Sequence, residues 1–255
     1  MDLSKLFDLS GKVAVITGAG SGIGRSVSSA YASLGVRVGL LDYSGEALHR
    51  VSAEMKSSGF AHHPILADVT QVEDVRRAIR EVREQFGRMD ILVNCAGTAV
   101  VGNLEDLTVE QWDKVMDTNV KGSFLCAQEA AKVMKAQGGG KIINIASIAG
   151  ERAWPGRVSY LTSKGGVVQL TRALAVDLAP FKINVNAIAP AFVETPMTHN
   201  TLADPDFRAW VLSRTPLGRV LDPEDMVGAA IFLASDASAM VTGHILHVDG
   251  GWIAH

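Results

Sequence analysis

The sequence predicts an α/β fold in which a doubly wound parallel sheet of seven strands carries helices on both faces. Short apolar segments alternate with helical segments along most of the 255 residues, which is the pattern of repeated strand–helix–strand units. These apolar segments are continuous rather than alternating, as expected for strands that are buried on both faces of a parallel sheet. A glycine-rich turn follows the first segment, which is where such sheets bind ligands.

Composition narrows the function classes. Hydrophobic residues form 47% and charged residues 20% of the chain, enough for one large domain with a full core. The formal net charge of -3 provides no basic excess to attract nucleic acid or an anionic membrane. No apolar run reaches the ~18 residues of a membrane span, and the N-terminus has no apolar signal segment. With two cysteines and no Cys/His cluster, we expect a cytoplasmic protein without a disulfide framework or a metal site.

The first predicted strand, residues 13–17, leads into the glycine-rich run TGAGSGIG at residues 17–24 and a helix over residues 23–34. Glycines let the backbone approach a pyrophosphate, and a helix N-terminus supplies free N–H groups, so this turn is typical of a phosphate-binding loop. The spacing of Gly18, Gly22 and Gly24 departs from strict G-x-G-x-x-G. A plain tight turn is therefore the alternative interpretation.

The second predicted strand, residues 36–41, ends at Asp42. A carboxylate ~20 residues beyond a glycine turn is the expected partner of adenosine ribose hydroxyls, and it repels a 2′-phosphate. No basic residue directly follows Asp42, and Ser21 stands where one could hold that phosphate. The pattern favours NAD over NADP, with an Asp that caps the next helix as the alternative. We expect Asp42→Ala to relax the cofactor preference.

Helices are predicted over residues 45–58 and 72–86, separated by a third strand over residues 64–67, and a fourth strand covers residues 90–94. Asp68 follows the third strand and Asn94 closes the fourth. Because ligands of doubly wound sheets lie at the carboxyl ends of the strands, both residues are expected near the ligand cleft.

A long helix is predicted over residues 108–137. Asn119 and Gly122 are poor helix formers in its middle, so we expect an irregularity there, such as a kink that holds water. The fifth strand, residues 141–146, ends at Ser147.

The remaining chain completes the sheet. The pattern predicts strands over residues 183–189 and 245–248, a mobile insertion with one or two short helices over residues 192–220, and a helix over residues 223–234.

A predicted helix over residues 159–179 sets Tyr160 and Lys164 four residues apart on one face. A phenol has a pKa of about 10, and a nearby cation lowers it. Lowering it by ~3 units takes roughly 4 kcal/mol, which is plausible in a cleft with a cationic cofactor. This pair predicts a proton donor and acceptor tuned near neutral pH; the alternative is an ordinary solvated helix face.

Taken together and in order, these motifs resemble the short-chain dehydrogenase/reductase family over essentially the whole chain. TGAGSGIG matches the family's TGxxxGxG, NCAG at residues 94–97 is similar to its NNAG, and four further residues match its catalytic tetrad. Those four are Asn119, Ser147, Tyr160 and Lys164. The resemblance implies one Rossmann-type domain over residues 1–255, with strand order 3-2-1-4-5-6-7 and a substrate-loop insertion at residues 192–220. It also implies a homotetramer that transfers hydride between NAD(H) and a small-molecule alcohol or ketone.

The resemblance implies a role for each site residue. Tyr160 exchanges a proton with the substrate, Lys164 holds the nicotinamide ribose and lowers the pKa of Tyr160, and Ser147 donates to the substrate oxygen. Asn119 holds a water that relays protons from Lys164. The implied cofactor contacts are Gly18, Ser21, Gly22, Ile23, Gly24, Asp42, Asp68, Val69, Asn94, Ala96, Gly97, Tyr160, Lys164, Pro190, Val193 and Thr195. Three residues depart from the family pattern, namely Cys95, Thr162 and Ala191.

The substrate is less constrained. Seven polar or aromatic residues near the site are candidates to line its pocket, with a solvated loop surface as the alternative; they are Glu151, Arg152, Trp154, His199, Arg208, Trp210 and Arg214. Their mixture favours a polar substrate such as a sugar, polyol or hydroxy acid. The rival enzyme is a 3-oxoacyl-(acyl-carrier-protein) reductase, which usually favours NADPH and needs a basic patch. The rival from another class is a non-catalytic dinucleotide sensor, which would lack members of the tetrad.

Overall fold

The structure is a computed structural model that describes residues 3–254, and the side chains of residues 5–254. Seven parallel strands form one sheet in the order β3-β2-β1-β4-β5-β6-β7, which confirms the predicted architecture. The strands are β1 (Val13–Thr17), β2 (Arg37–Asp42), β3 (His62–Leu66), β4 (Ile91–Asn94), β5 (Gly140–Ile145), β6 (Ile183–Pro190) and β7 (Ile245–Val248).

The strand at one edge of the sheet differs from the predicted one. β1 and β4 are buried at every residue, as their continuous apolar runs predict. β3 is largely accessible and pairs with β2 alone, which explains how it accommodates Pro64, a residue without an N–H donor. It begins at His62, two residues earlier than predicted, because His62 and His63 carry no apolar signal. At the other side, β6 continues through Pro190 in register with Val248 of β7.

Helices cover both faces of the sheet. They are α1 (Leu3–Leu6), α2 (Gly22–Ser33), α3 (Gly45–Ser57), α4 (Val72–Phe86), α5 (Val109–Met116), α6 (Gly122–Gln137), α7 (Val158–Leu178), α8 (His199–Leu202), α9 (Pro205–Ser213) and α10 (Val227–Ala234). One face buries side chains of α2, α3 and α10, and the other buries side chains of α4, α6 and α7. None of the helices within residues 3–254 is long and apolar enough to cross a membrane.

The predicted long helix is interrupted where the irregularity was expected. A π-helical segment, Asp117–Lys121, separates α5 from α6 and buries Asn119. The Ser123 hydroxyl donates to the Asn119 carbonyl at 2.7 Å. A Cβ at Gly122 would lie 2.8 Å from Cγ2 of Val69, so glycine lets this helix approach the end of β3. The irregularity therefore brings the helix against the carboxyl ends of the strands.

Three details lie outside the predicted pattern. The short helix α1 was not predicted, and the helix predicted over residues 223–234 begins as a 3-10 turn, Pro223–Met226, before α10. A 3-10 turn, Ile148–Gly150, also follows Ser147. Between residues 192 and 220 the structure contains α8 and α9, in agreement with the predicted one or two short helices.

Candidate active site

The glycine turn joins β1 to α2 through close backbone contacts. Gly18 has φ +66, and a Cβ there would lie 2.9 Å from the backbone nitrogen of Ala96. A Cβ at Gly24 would lie 2.2 Å from the Gly18 carbonyl oxygen. At the start of α2, the Ser21 side chain makes no capping hydrogen bond. The first N–H groups of α2 are therefore available to a ligand, as in a phosphate-binding turn.

Asp42 ties the end of β2 to this turn. One carboxylate oxygen accepts the Gly20 N–H at 2.8 Å and the other accepts the Ser44 N–H at 2.9 Å. The helix that follows is capped by Ser44, whose hydroxyl accepts the Ala47 N–H. Asp42 is thus not the side-chain cap of α3, and it lines the main cleft of the molecule. Arg50, which the sequence did not single out, lines the same cleft.

The next two strand ends behave differently from each other. Asp68 and Val69, after β3, both line the main cleft. Asn94 closes β4 but is buried, and its amide donates to the Ser123 carbonyl at 3.2 Å and to Oδ1 of Asn144 at 2.9 Å. Its side chain therefore joins β4 to its neighbours and does not line the cleft.

The Thr17 side chain holds the turn that follows Asn94. The Thr17 hydroxyl accepts the N–H groups of Cys95 and Ala96, each at 3.0 Å. Cys95, which replaces an amide in the family pattern, thus contributes its backbone to this contact. Burial raises the pKa of the Cys95 thiol to about 12, so the thiol is neutral at physiological pH.

Fourteen of the sixteen predicted cofactor contacts line this one cleft; Gly24 and Asn94 do not. Thr195, beyond Ala191, lies across from the glycine turn, because a Cβ at Gly22 would sit 3.1 Å from its Cγ2. The Thr195 N–H donates to the Thr198 hydroxyl at 3.0 Å. The alanine after Pro190 therefore leaves Thr195 at the cleft wall.

Three of the four tetrad residues converge where β5 ends. The Ser147 hydroxyl accepts the Ala149 N–H at 3.1 Å and donates to the Pro190 carbonyl at 3.4 Å. The Ser147 side chain also lowers the pKa of the Tyr160 phenol. Lys164 is buried, and its Nζ donates to the Ile145 carbonyl at 2.7 Å and lies 5.7 Å from the centroid of the Tyr160 ring.

Asn119, the fourth tetrad residue, is buried and does not line the main cleft. Its Oδ1 accepts the Thr98 N–H at 2.8 Å, and its Nδ2 donates to the Thr98 carbonyl and the Ser163 hydroxyl, each at 2.9 Å. A Cβ at Gly97 would lie 3.3 Å from Oδ1 of Asn119 and 3.9 Å from Nζ of Lys164. Gly97 thus lies close to both Asn119 and Lys164, and the predicted water relay remains a prediction.

The ionisation of the pair differs from the sequence prediction. Burial raises the pKa of Tyr160, and the Ser147 hydrogen bond and the Arg157 guanidinium lower it in part. Lys164 was expected to lower the pKa of Tyr160, but among the described residues the cation that lowers it is Arg157. Burial lowers the pKa of Lys164 itself to about 8, because desolvation disfavours the charged ammonium.

A second, smaller pocket adjoins the main cleft at Ser147 and Tyr160, which line both. Its other lining residues are Ala99, Ile148, Trp154, Arg157, Ala191, Phe192, Met197, Thr198, Thr201, Leu202 and Phe207. Arg157, at the N-cap of α7, was missed by the sequence analysis. Its spacing of three residues before Tyr160 was the available signal, because residues three apart near a helix start share a face.

Of the seven residues predicted to line the substrate pocket, Trp154 does so and the other six do not. Ionisable side chains, aromatic rings or, for Arg152, a backbone carbonyl engage these six. The Glu151 carboxylate lies 3.4 Å from the His247 ring, and Arg152 donates to the Ile253 carbonyl. The Glu194 carboxylate forms an ion pair with Arg208 at 3.1 Å and lies 3.9 Å from the His199 ring. Arg214 stacks over the rings of Trp210 and Trp252. Within residues 3–254, no group of three or more His, Cys, Asp or Glu residues could hold a metal ion.

Comparison with known proteins agrees with this geometry. A family model described as enoyl-(acyl carrier protein) reductase matches residues 18–253. D-threitol dehydrogenase of Mycolicibacterium smegmatis is 40% identical over 247 residues, which is 96% of this chain and 94% of that protein. NAD-dependent glycerol dehydrogenase of Listeria innocua is 39% identical, with 97% and 96% covered. A 3-oxoacyl-(acyl-carrier-protein) reductase of Thermotoga maritima is 38% identical, with 96% and 99% covered.

Solved structures are equally similar. A short-chain type dehydrogenase/reductase from Mycobacterium marinum has a TM-score of 0.95 at 40% identity, with 100% of both chains covered. A gluconate 5-dehydrogenase from Burkholderia cenocepacia, in complex with NADP and tartrate, has a TM-score of 0.95 at 37% identity, with 98% of both chains covered. The chain therefore belongs to the short-chain dehydrogenase/reductase family and is a nicotinamide-dependent oxidoreductase that acts on alcohol groups.

Proposed function

We propose that the enzyme interconverts a secondary alcohol and a ketone on a small polar substrate, such as a sugar, polyol or hydroxy acid, with NAD(H). The observation that carries the proposal is that the hydroxyl-bearing residues Ser147 and Tyr160 line both the main cleft and the smaller pocket. A group bound in the smaller pocket would meet a proton carrier at the point where the main cleft begins. Relatives named for threitol and glycerol dehydrogenation support a polyhydroxylated substrate.

In this proposal Tyr160 accepts the proton of the alcohol during oxidation and returns it to the carbonyl oxygen during reduction. Ser147 donates a hydrogen bond to the same oxygen, where charge develops. Its bond to the Pro190 carbonyl is long, at 3.4 Å, so redirecting the hydroxyl toward the substrate costs little. Lys164, with a pKa of about 8, can gain or lose a proton near neutral pH, which an ordinary lysine does not do.

The main cleft fits a nicotinamide dinucleotide. The glycine turn leaves no room for a Cβ at Gly18 and leaves helix N–H groups free at Gly22 and Ile23, which suits a pyrophosphate. Asp42 would receive the adenosine ribose, and Lys164 the nicotinamide ribose. When bound, the nicotinamide supplies the hydride acceptor in oxidation and the hydride donor in reduction.

We propose NAD as the preferred cofactor, because the Asp42 carboxylate is nearly buried beside the turn and would repel a 2′-phosphate. Arg50 lines the same cleft and is the residue that would oppose this preference. The wild type is expected to favour NAD over NADP by about tenfold or more in kcat/KM, and Asp42→Ala to narrow that ratio. Equal use of both cofactors by the wild type would refute the assignment.

The proposed function is tested by Tyr160→Phe in a dehydrogenase screen over polyols, sugars, hydroxy acids and secondary alcohols. We expect kcat to fall by about 10²–10⁴-fold, the contribution of a positioned acid–base group, while NADH binding measured by fluorescence persists. Thr162→Ala is a matched control, since Thr162 is exposed two residues away and its hydroxyl bonds the Val158 carbonyl of its own helix. A loss below tenfold in Tyr160→Phe would exclude the proposed role.

The same screen separates the rival functions. Efficient turnover of a 3-oxoacyl thioester with NADPH, without oxidation of polyols or hydroxy acids, would favour a 3-oxoacyl-(acyl-carrier-protein) reductase, as in the relative from Thermotoga maritima. NADH binding without turnover of any substrate would favour a dinucleotide sensor.

We also propose a homotetramer. Apolar side chains are exposed on α5 and α7, where Val109 is 69% exposed and Val176 is 76% exposed. Such exposed apolar side chains suit burial against a second chain. Size-exclusion chromatography with light scattering is expected to give four chains of 27.1 kDa each; a single-chain mass would refute this assembly.

A further inference from the structure

The smaller pocket contains one charged side chain among its described lining residues, Arg157. Arg157 is half-buried, and one of its five N–H donors reaches a partner, the Thr201 hydroxyl at 3.2 Å. None of the ion pairs within residues 5–254 includes Arg157, and Glu194 of the neighbouring segment pairs with Arg208. A guanidinium is thus held at the pocket without a counter-ion from the described chain.

The surroundings of Arg157 make that imbalance matter. Aromatic rings form one side of the pocket, with the rings of Trp154 and Phe192 5.5 Å apart and those of Phe192 and Phe207 5.4 Å apart. Apolar walls weaken solvent screening, so a charge there interacts more strongly with an opposite charge than it would in water. A half-buried cation without a counter-ion keeps part of its desolvation cost, and an anionic ligand group offsets that cost.

A second donor without a partner belongs to another residue that lines this pocket. The indole Nε1 of Trp154 is buried and has no hydrogen-bond partner in the part of the chain that the structure describes. Trp154 lines the pocket together with Arg157. Two donors, one of them charged, match a ligand group that offers two acceptor oxygens and a negative charge.

We propose that Arg157 selects substrates that carry a carboxylate, so that the enzyme acts on a short hydroxy acid and its oxo acid in preference to a neutral polyol. This inference rests on the proposed function and names its substrate class. Arg157 precedes Tyr160 by one helical turn, a separation of about 5–6 Å between Cβ atoms. The carboxylate would therefore stand a few bonds from the carbon that is oxidised at Tyr160.

The test compares pairs of alcohols that differ in one group, a carboxylate in one and a hydroxymethyl in the other. The pairs are lactate with propane-1,2-diol, 3-hydroxybutyrate with butane-1,3-diol, and gluconate with glucitol. A hydrogen bond between charged groups contributes about 1.5–3 kcal/mol, which is roughly 10–150-fold in kcat/KM. We expect the wild type to favour the acid of the pair it accepts by a factor in that range, mainly through KM.

Two variants at Arg157 and one control complete the test. Arg157→Gln is expected to lower the acid-to-diol ratio of kcat/KM by about tenfold or more, and Arg157→Lys to retain part of it. Arg152→Gln is the matched control, since Arg152 is exposed, lies outside the pocket and donates to the Ile253 carbonyl; it should keep the wild-type ratio. Thermal unfolding of each variant verifies the fold.

The outcomes separate this inference from the proposed function. If the diols are oxidised and Arg157→Gln keeps the wild-type acid-to-diol ratio of kcat/KM, the inference is overturned and the proposed function stands. If neither member of any pair is oxidised, the proposed function fails, and calorimetry with butyrate and butan-1-ol in the presence of NAD decides the inference. Tighter binding of butyrate than of butan-1-ol in the wild type, lost in Arg157→Gln, would support it; equal binding of butyrate to both proteins would refute it.

Discussion

Replacing Gly24 with alanine tests whether the glycine turn depends on close backbone approach. Gly24 lies in the first turn of α2, and a Cβ built on it would lie 2.2 Å from the Gly18 carbonyl oxygen and 2.8 Å from its carbon. Both atoms belong to the backbone, so no side chain can rotate away. Either the turn or the start of the helix has to move, and both form the wall of the proposed nucleotide site.

Two opposing effects determine the expected size of the change. Helix propensity favours alanine over glycine by about 1 kcal/mol, while overpacking a rigid site costs about 1–3 kcal/mol and occasionally more. Because a 2.2 Å approach to backbone is severe, we expect the free energy of unfolding to fall by about 2 kcal/mol net. For a chain of this size, that lowers Tm by about 4–8 °C.

The control is Gly228→Ala in α10, where a Cβ would have no neighbour within 4 Å. Only helix propensity acts there, so this variant should gain up to about 1 kcal/mol. Thermal unfolding is measured with and without NAD, since a ligand at 100 times its Kd adds about 2.7 kcal/mol to the wild type. The increment should shrink in Gly24→Ala and persist in Gly228→Ala. A Gly24→Ala protein with wild-type Tm and wild-type NADH affinity would contradict the role assigned to the turn.

Two further predictions concern buried polar groups. For Lys164→Met, we compare the free energy of unfolding of wild type and variant, and we expect the difference to shift by about 3 kcal/mol in favour of the wild type between pH 8 and 10.5. The folded pKa of Lys164, about 8, lies below its unfolded value of 10.5, so in this range the unfolded state holds the extra proton. Urea unfolding that gives a constant difference across this range would refute the prediction. For Tyr31→Phe, we expect the free energy of unfolding to fall by about 1–3 kcal/mol, because the buried Tyr31 hydroxyl donates to the Ala230 carbonyl at 2.8 Å. The control is Tyr43→Phe, at a residue 81% exposed, which should change the free energy of unfolding in urea by less than about 0.5 kcal/mol. Equal effects of the two substitutions would contradict this account.

The sheet could be predicted because the sequences of its central strands indicate that these strands are buried. Apolar runs such as VAVI at residues 13–16 and ILV at residues 91–93 have no polar residue to present to water, which restricts them to the inside of a parallel sheet. The edge strand β3 lacks that signal, since it opens with His62 and His63, and its start was therefore misplaced. Hydrogen bonding to β2 defines that start, and backbone pairing leaves no trace in side-chain hydrophobicity.

The site could be predicted in its membership but not in its internal partners. Strand ends and glycines follow from local sequence, so almost all of the predicted cofactor contacts lie in the main cleft. The partners of Asn94 and Asn119 are set by packing between elements far apart in the chain, such as the 2.9 Å contact of Asn94 with Asn144. Sequence spacing cannot reveal whether an amide faces a cleft or a neighbouring strand.

The substrate pocket was the least predictable part for the same reason. Charged residues after Ser147 and in the 192–220 insertion, including Arg152 and Arg208, were candidates because they lie near the site along the chain. In the fold they meet carbonyl or carboxylate partners outside the pocket. Arg157 enters the pocket because it begins the helix that carries Tyr160, so its position is fixed by the catalytic helix rather than by a loop.

The position of Arg157 couples substrate charge to the acid–base group, which gives a final prediction. The Arg157 guanidinium lowers the pKa of Tyr160 against the effect of burial. A substrate carboxylate paired with Arg157 would offset that charge, so the pKa of Tyr160 should be higher in the substrate complex than in the free enzyme. Oxidation requires the phenolate, and kcat reports the complex whereas kcat/KM reports the free enzyme. For 3-hydroxybutyrate, the acidic limb of kcat should therefore lie at higher pH than that of kcat/KM, while for butane-1,3-diol the two limbs should coincide. Arg157→Gln should move the acidic limb of kcat/KM upward for both substrates and remove the difference; coincident limbs for 3-hydroxybutyrate in the wild type would mean that the substrate's charge does not reach Tyr160 through Arg157.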